Sequence, residues 1–135
     1  MGTRSLTYIY NQAEMPLVCI YRQYDGYPAM HGAELAELLT ETKHNGIECL
    51  SASVISKLKT GWGNVYLYPP FAEQDAGQEW EYVIQDDLVS VFHINIHGER
   101  IKRFEGYYDE FKAYCNNIRS KKQSIERKLY ENSIV

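Results

Sequence analysis

The chain has 135 residues, a formal net charge of −4, 44% hydrophobic and 24% charged residues. That balance excludes a disordered chain and fits one globular domain over residues 1–135, large enough to bury a core without disulfides or metal. No stretch reaches the roughly 18 apolar residues of a membrane span, and no apolar signal core opens the chain, so a cytoplasmic protein is expected.

The first elements are two runs rich in β-formers, 6–10 and 17–21, on either side of the polar segment 11–16; they predict a hairpin. Asp25-Gly26-Tyr27-Pro28 predicts a turn. Residues 32–39 predict a helix with Leu35, Leu38 and Leu39 on one side. A second helix is expected over 47–59, with Ile47, Leu50, Val54, Ile55 and Leu58 as its apolar stripe and Gly61 placed to end it. Residues 65–68 form a short strand stopped by Pro69-Pro70, and 71–78 read as a polar loop. Residues 79–85 and 88–97 predict a second hairpin across Asp86-Asp87, with Phe92, Ile94 and Ile96 alternating with His93, Asn95 and His97. A further strand over 100–104 leads to the strongest pattern in the chain. Phe104, Tyr107, Tyr108, Phe111, Cys115, Ile118, Ile125 and Leu129 follow helical spacing. A helix over 107–132 is about 39 Å long at roughly 1.5 Å per residue, longer than the roughly 28 Å of twice the radius of gyration, so its end projects. The order ββ-αα-ββββ-α predicts an α+β fold: an antiparallel sheet of five to six strands, helices packed on one face, and a long C-terminal helix.

Charge is unevenly distributed. Residues 1–99 hold five basic and thirteen acidic side chains, and residues 100–135 nine basic and five acidic. An acidic body lacks the clustered cations that DNA phosphates need, so no direct DNA binding is expected. It suits instead a basic surface on a protein partner. The three cysteines, Cys19, Cys49 and Cys115, show no CxxC spacing. They are expected to be reduced and buried, with no disulfide framework and no zinc site.

The segment most suggestive of a site is 21–32. It carries Arg22, Gln23, Tyr24, Asp25, Tyr27 and His31 between a strand and a helix start. Free N–H groups at such a start favour anions, Arg22 adds a charge-assisted contact, and Tyr24 or Tyr27 can stack on a ring. Those six residues are the candidate ligand site, for a small anionic or nucleotide-like molecule. On that reading Arg22 is free to bind, and Arg22→Ala weakens anion binding more than tenfold while leaving the melting temperature nearly unchanged. The alternative for the same segment is a structural turn, with Asp25-Gly26 setting the backbone and Tyr27-Pro28 packing over the helix. Asp25 and His31 also offer an acid–base pair for a small enzyme, with Arg22 stabilising a developing anion. His93 and His97 would be neighbours on a helix. On a strand they lie about 13 Å apart at roughly 3.3 Å per residue, too far to share one ion. No metal and no cofactor is expected. Tyr8 and Tyr10 share one strand face, as do Tyr66 and Tyr68, which suits half-wet packing or a groove.

Several motifs carry a resemblance. Gly2-Thr3-Arg4-Ser5, then Tyr21-Arg22-Gln23, Asp25-Gly26-Tyr27-Pro28 and His31-Gly32-Ala33-Glu34-Leu35-Ala36 resemble small proteins of bacteriophage and bacterial genomes that have no assigned activity. Tyr66-Leu67-Tyr68-Pro69 and Gly77-Gln78-Glu79-Trp80-Glu81-Tyr82 extend the likeness over most of the chain; Met30 stands where the similar proteins carry Gly. The resemblance implies a phage or mobile-element setting and brings no catalytic residues with it. By analogy with that setting, the expected function is non-enzymatic: sequestration of a host signal, a counter-defence role, at the 22–31 loop. A protein-binding inhibitor using the acidic surface and a small Asp25/His31 enzyme are the alternatives. A homodimer is expected through the C-terminal helix, using Ile125, Leu129, Ile134 and Val135, or through the tyrosine-bearing strands.

Overall fold

The computed structural model describes residues 2–41, 45–70 and 75–133. Strands β1 (Ser5–Tyr10) and β2 (Pro16–Arg22) pair antiparallel. The loop between them is held by the Asn11 side-chain oxygen, which accepts from the N–H groups of Ala13 and Met15 at 3.0 and 2.9 Å. A single wide π turn, Pro28–Gly32, opens directly into α1 (Ala33–Glu41), and α2 (Ile47–Leu58) follows. The chain returns as β3 (Val65–Tyr68), antiparallel beside β2. Then β4 (Trp80–Gln85), β5 (Leu88–Ile94) and β6 (Arg100–Tyr107) form a meander, and α3 (Tyr108–Ser133) leaves β6 without a break. Asp86 and Asp87 turn the β4–β5 hairpin with φ of 53° and 64°, the left-handed pair that a two-residue turn between right-twisted strands requires.

The strand order is β3-β2-β1-β4-β5-β6. Six strands match the expected number, and the sheet is mostly antiparallel, with one parallel pair. β1 and β4 run parallel, with Leu6 beside Glu81 and Tyr8 beside Val83. The chain leaves β3 at one end of the sheet and enters β4 from the other, which fixes β4 in the direction of β1. Of that connection, Ala76 packs on Leu6, Cys19 and Tyr21, covering part of the second face.

All three helices lie on one face, as their stripes require. Ile9, Val18, Ile20, Tyr82, Ile84, Val89 and Val91 project from the sheet to meet Leu35, Leu39, Leu50, Val54, Phe111 and Cys115. The alternating residues face the other way, where the rings of Tyr21 and Tyr68 stack at 5.1 Å and Arg100 lies 3.5 Å over the Phe92 ring. The tyrosine strands are thus largely ordinary sheet packing. β5 ends at Ile94, earlier than the alternation suggests, because the Asn95 side chain takes the N–H groups of His97 and Glu99 and turns the chain. His93 therefore lies on the strand against Trp80, ring centroids 4.7 Å apart, and His97 lies in the turn. Among the described residues no cluster of three or more His, Cys, Asp or Glu is placed to hold a metal. Among the described residues no helix is long and apolar enough to cross a membrane.

Helix α3 is buried only in its first half. Phe111 and Cys115 are fully buried, Ile118 is half-buried, and every side chain from Arg119 to Tyr130 is exposed. Ile134 and Val135 lie outside the described residues.

The cysteines divide differently from expectation. Cys19 and Cys115 are buried, but Cys49 is exposed, because Leu50, Val54 and Leu58 define the inward face of α2 and position 49 lies off it. Burial pushes the Cys19 thiol up to about 11 and the Cys115 thiol up to about 12. A thiol reagent at pH 8 is expected to modify one cysteine, Cys49, near the rate of a free peptide, and the other two only after denaturation. Mass spectrometry of the native protein showing two or three rapid additions would contradict this placement.

Candidate functional site

The segment 22–31 follows β2, whose alternation decides what happens to its first residue. Val18, Ile20 and Arg22 point to the same face of the sheet, the face under the helices. Arg22 is therefore carried inside and is 7% exposed. A buried guanidinium must find acceptors, and this one finds three. Its Nε donates to the Tyr24 carbonyl at 2.7 Å, and one terminal nitrogen donates to Glu34 Oε2 at 2.5 Å and to His31 Nδ1 at 3.3 Å. Glu34 comes from the first turn of α1, so the ion pair ties the end of β2 to the start of the helix.

His31 lies beneath, fully buried in the π turn. Arginine can only donate, so His31 Nδ1 is an acceptor and Nε2 carries the proton. That Nε2–H donates to the Thr7 hydroxyl on β1 at 2.8 Å. Burial first, and the Arg22 charge second, push the imidazole down to about 3, so it is neutral at pH 7. The Tyr82 ring stands edge-on to it at 4.9 Å and donates its hydroxyl to the Gly26 carbonyl at 2.7 Å. Gly26 is pressed against β1: a Cβ there would lie 2.7 Å from Ser5 Cβ and 2.9 Å from the Ser5 backbone nitrogen. The neighbouring Ser5 hydroxyl is buried with no hydrogen-bond partner. Gly32 allows α3 the same kind of approach, since a Cβ there would meet Cys115 Sγ at 2.8 Å.

The six candidate residues thus separate into two sets. Arg22 and His31 belong to an interior network with Thr7, Glu34 and Tyr82. Gln23, Tyr24, Asp25 and Tyr27 form the outer loop. Asn64 straps that loop down, its carbonyl accepting from Gln23 N–H at 2.7 Å and its side-chain oxygen from Tyr24 N–H at 2.9 Å. Tyr24 is 48% exposed, Asp25 is exposed in the left-handed region at φ 61°, and Tyr27 is half-buried. Asp25 and His31 meet only through the backbone, His31 N–H donating to the Asp25 carbonyl at 3.1 Å, so the two side chains do not form an acid–base pair. Nor does Arg22 wait for an anion: its charge is already matched by Glu34. That replaces the expectation that Arg22→Ala leaves the melting temperature unchanged.

Lys122, which sequence reasoning did not select as a contact, holds its Nζ 4.4 Å from the centre of the Tyr27 ring. The outer loop therefore sits at the foot of the exposed half of α3. Beside it runs a shallow, mainly apolar groove of about 430 Å³ lined by Ile118, Lys121, Lys122, Ile125 and Glu126. The residues of α1 most open to solvent are carboxylates, Glu34, Glu37 and Glu41, with Leu38 and Thr40 half-buried beside them. Glu37 and Glu41 have no ion pair among the described residues. Comparison with known protein families, with curated proteins and with solved structures finds no match to this chain.

Proposed function

We propose that this chain is a non-enzymatic accessory protein of a bacteriophage or mobile element that binds, in the host cytoplasm, a host protein with a basic surface. The observation that carries the reading is the outward face of α1. Glu37 and Glu41, one turn apart on a nine-residue helix, extend the side that begins with Glu34, whose own charge is matched by Arg22. Like charges four apart, as at Glu37 and Glu41, destabilise a helix by roughly 0.2–0.5 kcal/mol. A cationic partner surface would offset that cost and gain steering in return. The candidate chemistry of the 22–31 loop supports binding over turnover, since its cation and its imidazole are both engaged in holding the fold. The immobilised chain is expected to retain a basic protein from a bacterial lysate at low salt and release it at high salt. Glu37→Lys with Glu41→Lys is expected to abolish retention without changing the circular dichroism. Retention that is equal in parent and double variant would remove the α1 face from the reading.

A second reading keeps a small anionic, nucleotide-like ligand, and Lys122 over the Tyr27 ring, with Lys121 next to it along the groove, supports it. Ammonium groups and a ring face at one end of an apolar groove suit a phosphate and a base. Mass spectrometry of small molecules released from the purified chain decides between the two: a nucleotide at stoichiometric level favours the ligand.

A further inference from the structure

We propose that the exposed end of α3 receives a second copy of this chain. In that assembly the two helix ends lie antiparallel about a two-fold axis, and each tip covers the Tyr24–Tyr27 loop of the other copy. The surface is separate from the carboxylate face of α1, so this inference stands independently of the basic-partner reading, and it covers the groove that the small-ligand reading would use.

The argument starts from the direction of the apolar stripe. Phe111, Ile118 and Ile125 are seven residues apart, and Leu129 follows Ile125 by four, so all four lie along one side of the helix. Phe111 is fully buried against Tyr82 and Phe104, and Ile118 is half-buried. Ile125 is 60% and Leu129 64% exposed. The stripe keeps the heading it has inside the protein after the body beneath it has ended. Lys122 on Tyr27 marks where this happens. There helix and loop form a corner, with Ile118, Ile125 and Leu129 along one side and Tyr27 at the end. Residues 123–133 extend the corner by about 16 Å at roughly 1.5 Å per residue. A straight helix as long as this one fits it.

Three considerations choose the occupant. The arm that makes one corner is itself the rod that fills the other, so a two-fold arrangement closes with both stripes covered. Residues 123–133 carry Arg127 and Lys128 against Glu126 and Glu131, so two such arms meet without net repulsion. A basic host surface, by contrast, would press on Arg119, Lys121 and Lys122 at the foot of the arm. Sterics then set the direction. Each body lies on the apolar side of its own helix as far as Ile118. Parallel helices would place both bodies in one space; antiparallel helices place them at opposite ends.

Light scattering on the full chain at tens of micromolar is expected to give twice the 15.7 kDa of one chain. Ile125→Asp with Leu129→Asp is expected to weaken association more than tenfold while leaving the circular dichroism of the body unchanged. Direction is read by cross-linking in a Cys49→Ser background. Ile125→Cys and Leu129→Cys chains, mixed in equal amounts and oxidised, are expected to give the mixed disulfide well beyond the twofold excess over either like pair that random pairing produces. A mass of one chain at 100 micromolar overturns the proposal, as does a dimer indifferent to the double Asp change. An excess of like pairs overturns the antiparallel arrangement.

Discussion

An Arg22→Ala chain is expected to melt about 10 °C below the parent. The substitution removes three hydrogen bonds donated by a charged group, each contributing roughly 1.5–3 kcal/mol where geometry is good. It also leaves His31 Nδ1 as a buried acceptor with nothing to accept. The ion pair counts for less than a fully buried one, because the Glu34 side chain is 44% exposed and solvent screens it. Discounting for that leaves a loss of about 3 kcal/mol, and each kcal/mol moves the midpoint of a domain this size by roughly 3–4 °C. Arg22→Lys is expected to recover little, since an ammonium cannot reproduce the planar fork that reaches Tyr24, Glu34 and His31 together. Glu34→Gln is expected to cost far less, because an exposed amide still accepts from Arg22. Calorimetry that places Arg22→Ala within about 2 °C of the parent would mean the loop is held by something other than this network.

Acidification is expected to unfold the protein through His31. The imidazole titrates ordinarily at 6.5 and in the fold at about 3. Between those values the unfolded chain binds a proton that the folded one refuses, so stability falls as pH falls. The slope from this one group approaches about 1.4 kcal/mol per pH unit below 6.5 and disappears again below about 3. Above 6.5 His31 is neutral in both states and contributes no pH dependence. His31→Gln offers a control, because an amide can accept from Arg22 and donate to Thr7 but cannot take up the proton. Urea midpoints measured at pH 7, 5.5 and 4.5 are expected to fall more steeply in the parent than in His31→Gln. Equal acid limbs in the two chains would show that His31 is not the group responsible.

Much of the fold is legible in local pattern, and the exceptions share a cause. The two hairpins, the alternation of β5 as far as Ile94 and the helical spacing from Tyr108 to Leu129 are short-range signals, and those elements stand where their patterns put them, whereas Phe104 and Tyr107, which share the helical spacing, belong to strand β6. The parallel pairing of β1 with β4 is invisible because nothing in Leu6 or Glu81 specifies a neighbour 75 positions away. The interior of the candidate site fails for a different reason. An arginine before a Gly- and Pro-rich turn suggests a ligand, yet Arg22 keeps step with Val18 and Ile20, and that period of two already directs it to the core. What the period cannot supply is the identity of the acceptors. Glu34, Thr7 and Tyr82 reach it from three other elements, and only assembly brings them together. The outer loop was recognisable from its turn residues, whereas its contact with Lys122 depends on how far α3 runs past the body.

The β1–β4 ladder has a consequence for how the molecule is made. It is the single seam between two antiparallel meanders, β3-β2-β1 and β4-β5-β6, and it joins Ser5–Ile9 to Trp80–Ile84. During synthesis the first meander is complete as a set of strands long before its inner edge has a neighbour. Until residue 84 has left the ribosome, β1 presents an unpaired row of amides and carbonyls, the kind of edge that recruits strands from other chains. Closing a loop of some seventy residues is also slow compared with closing a hairpin. The rate-limiting step of folding is therefore expected at this seam, with each three-stranded half forming first and the two zipping together last.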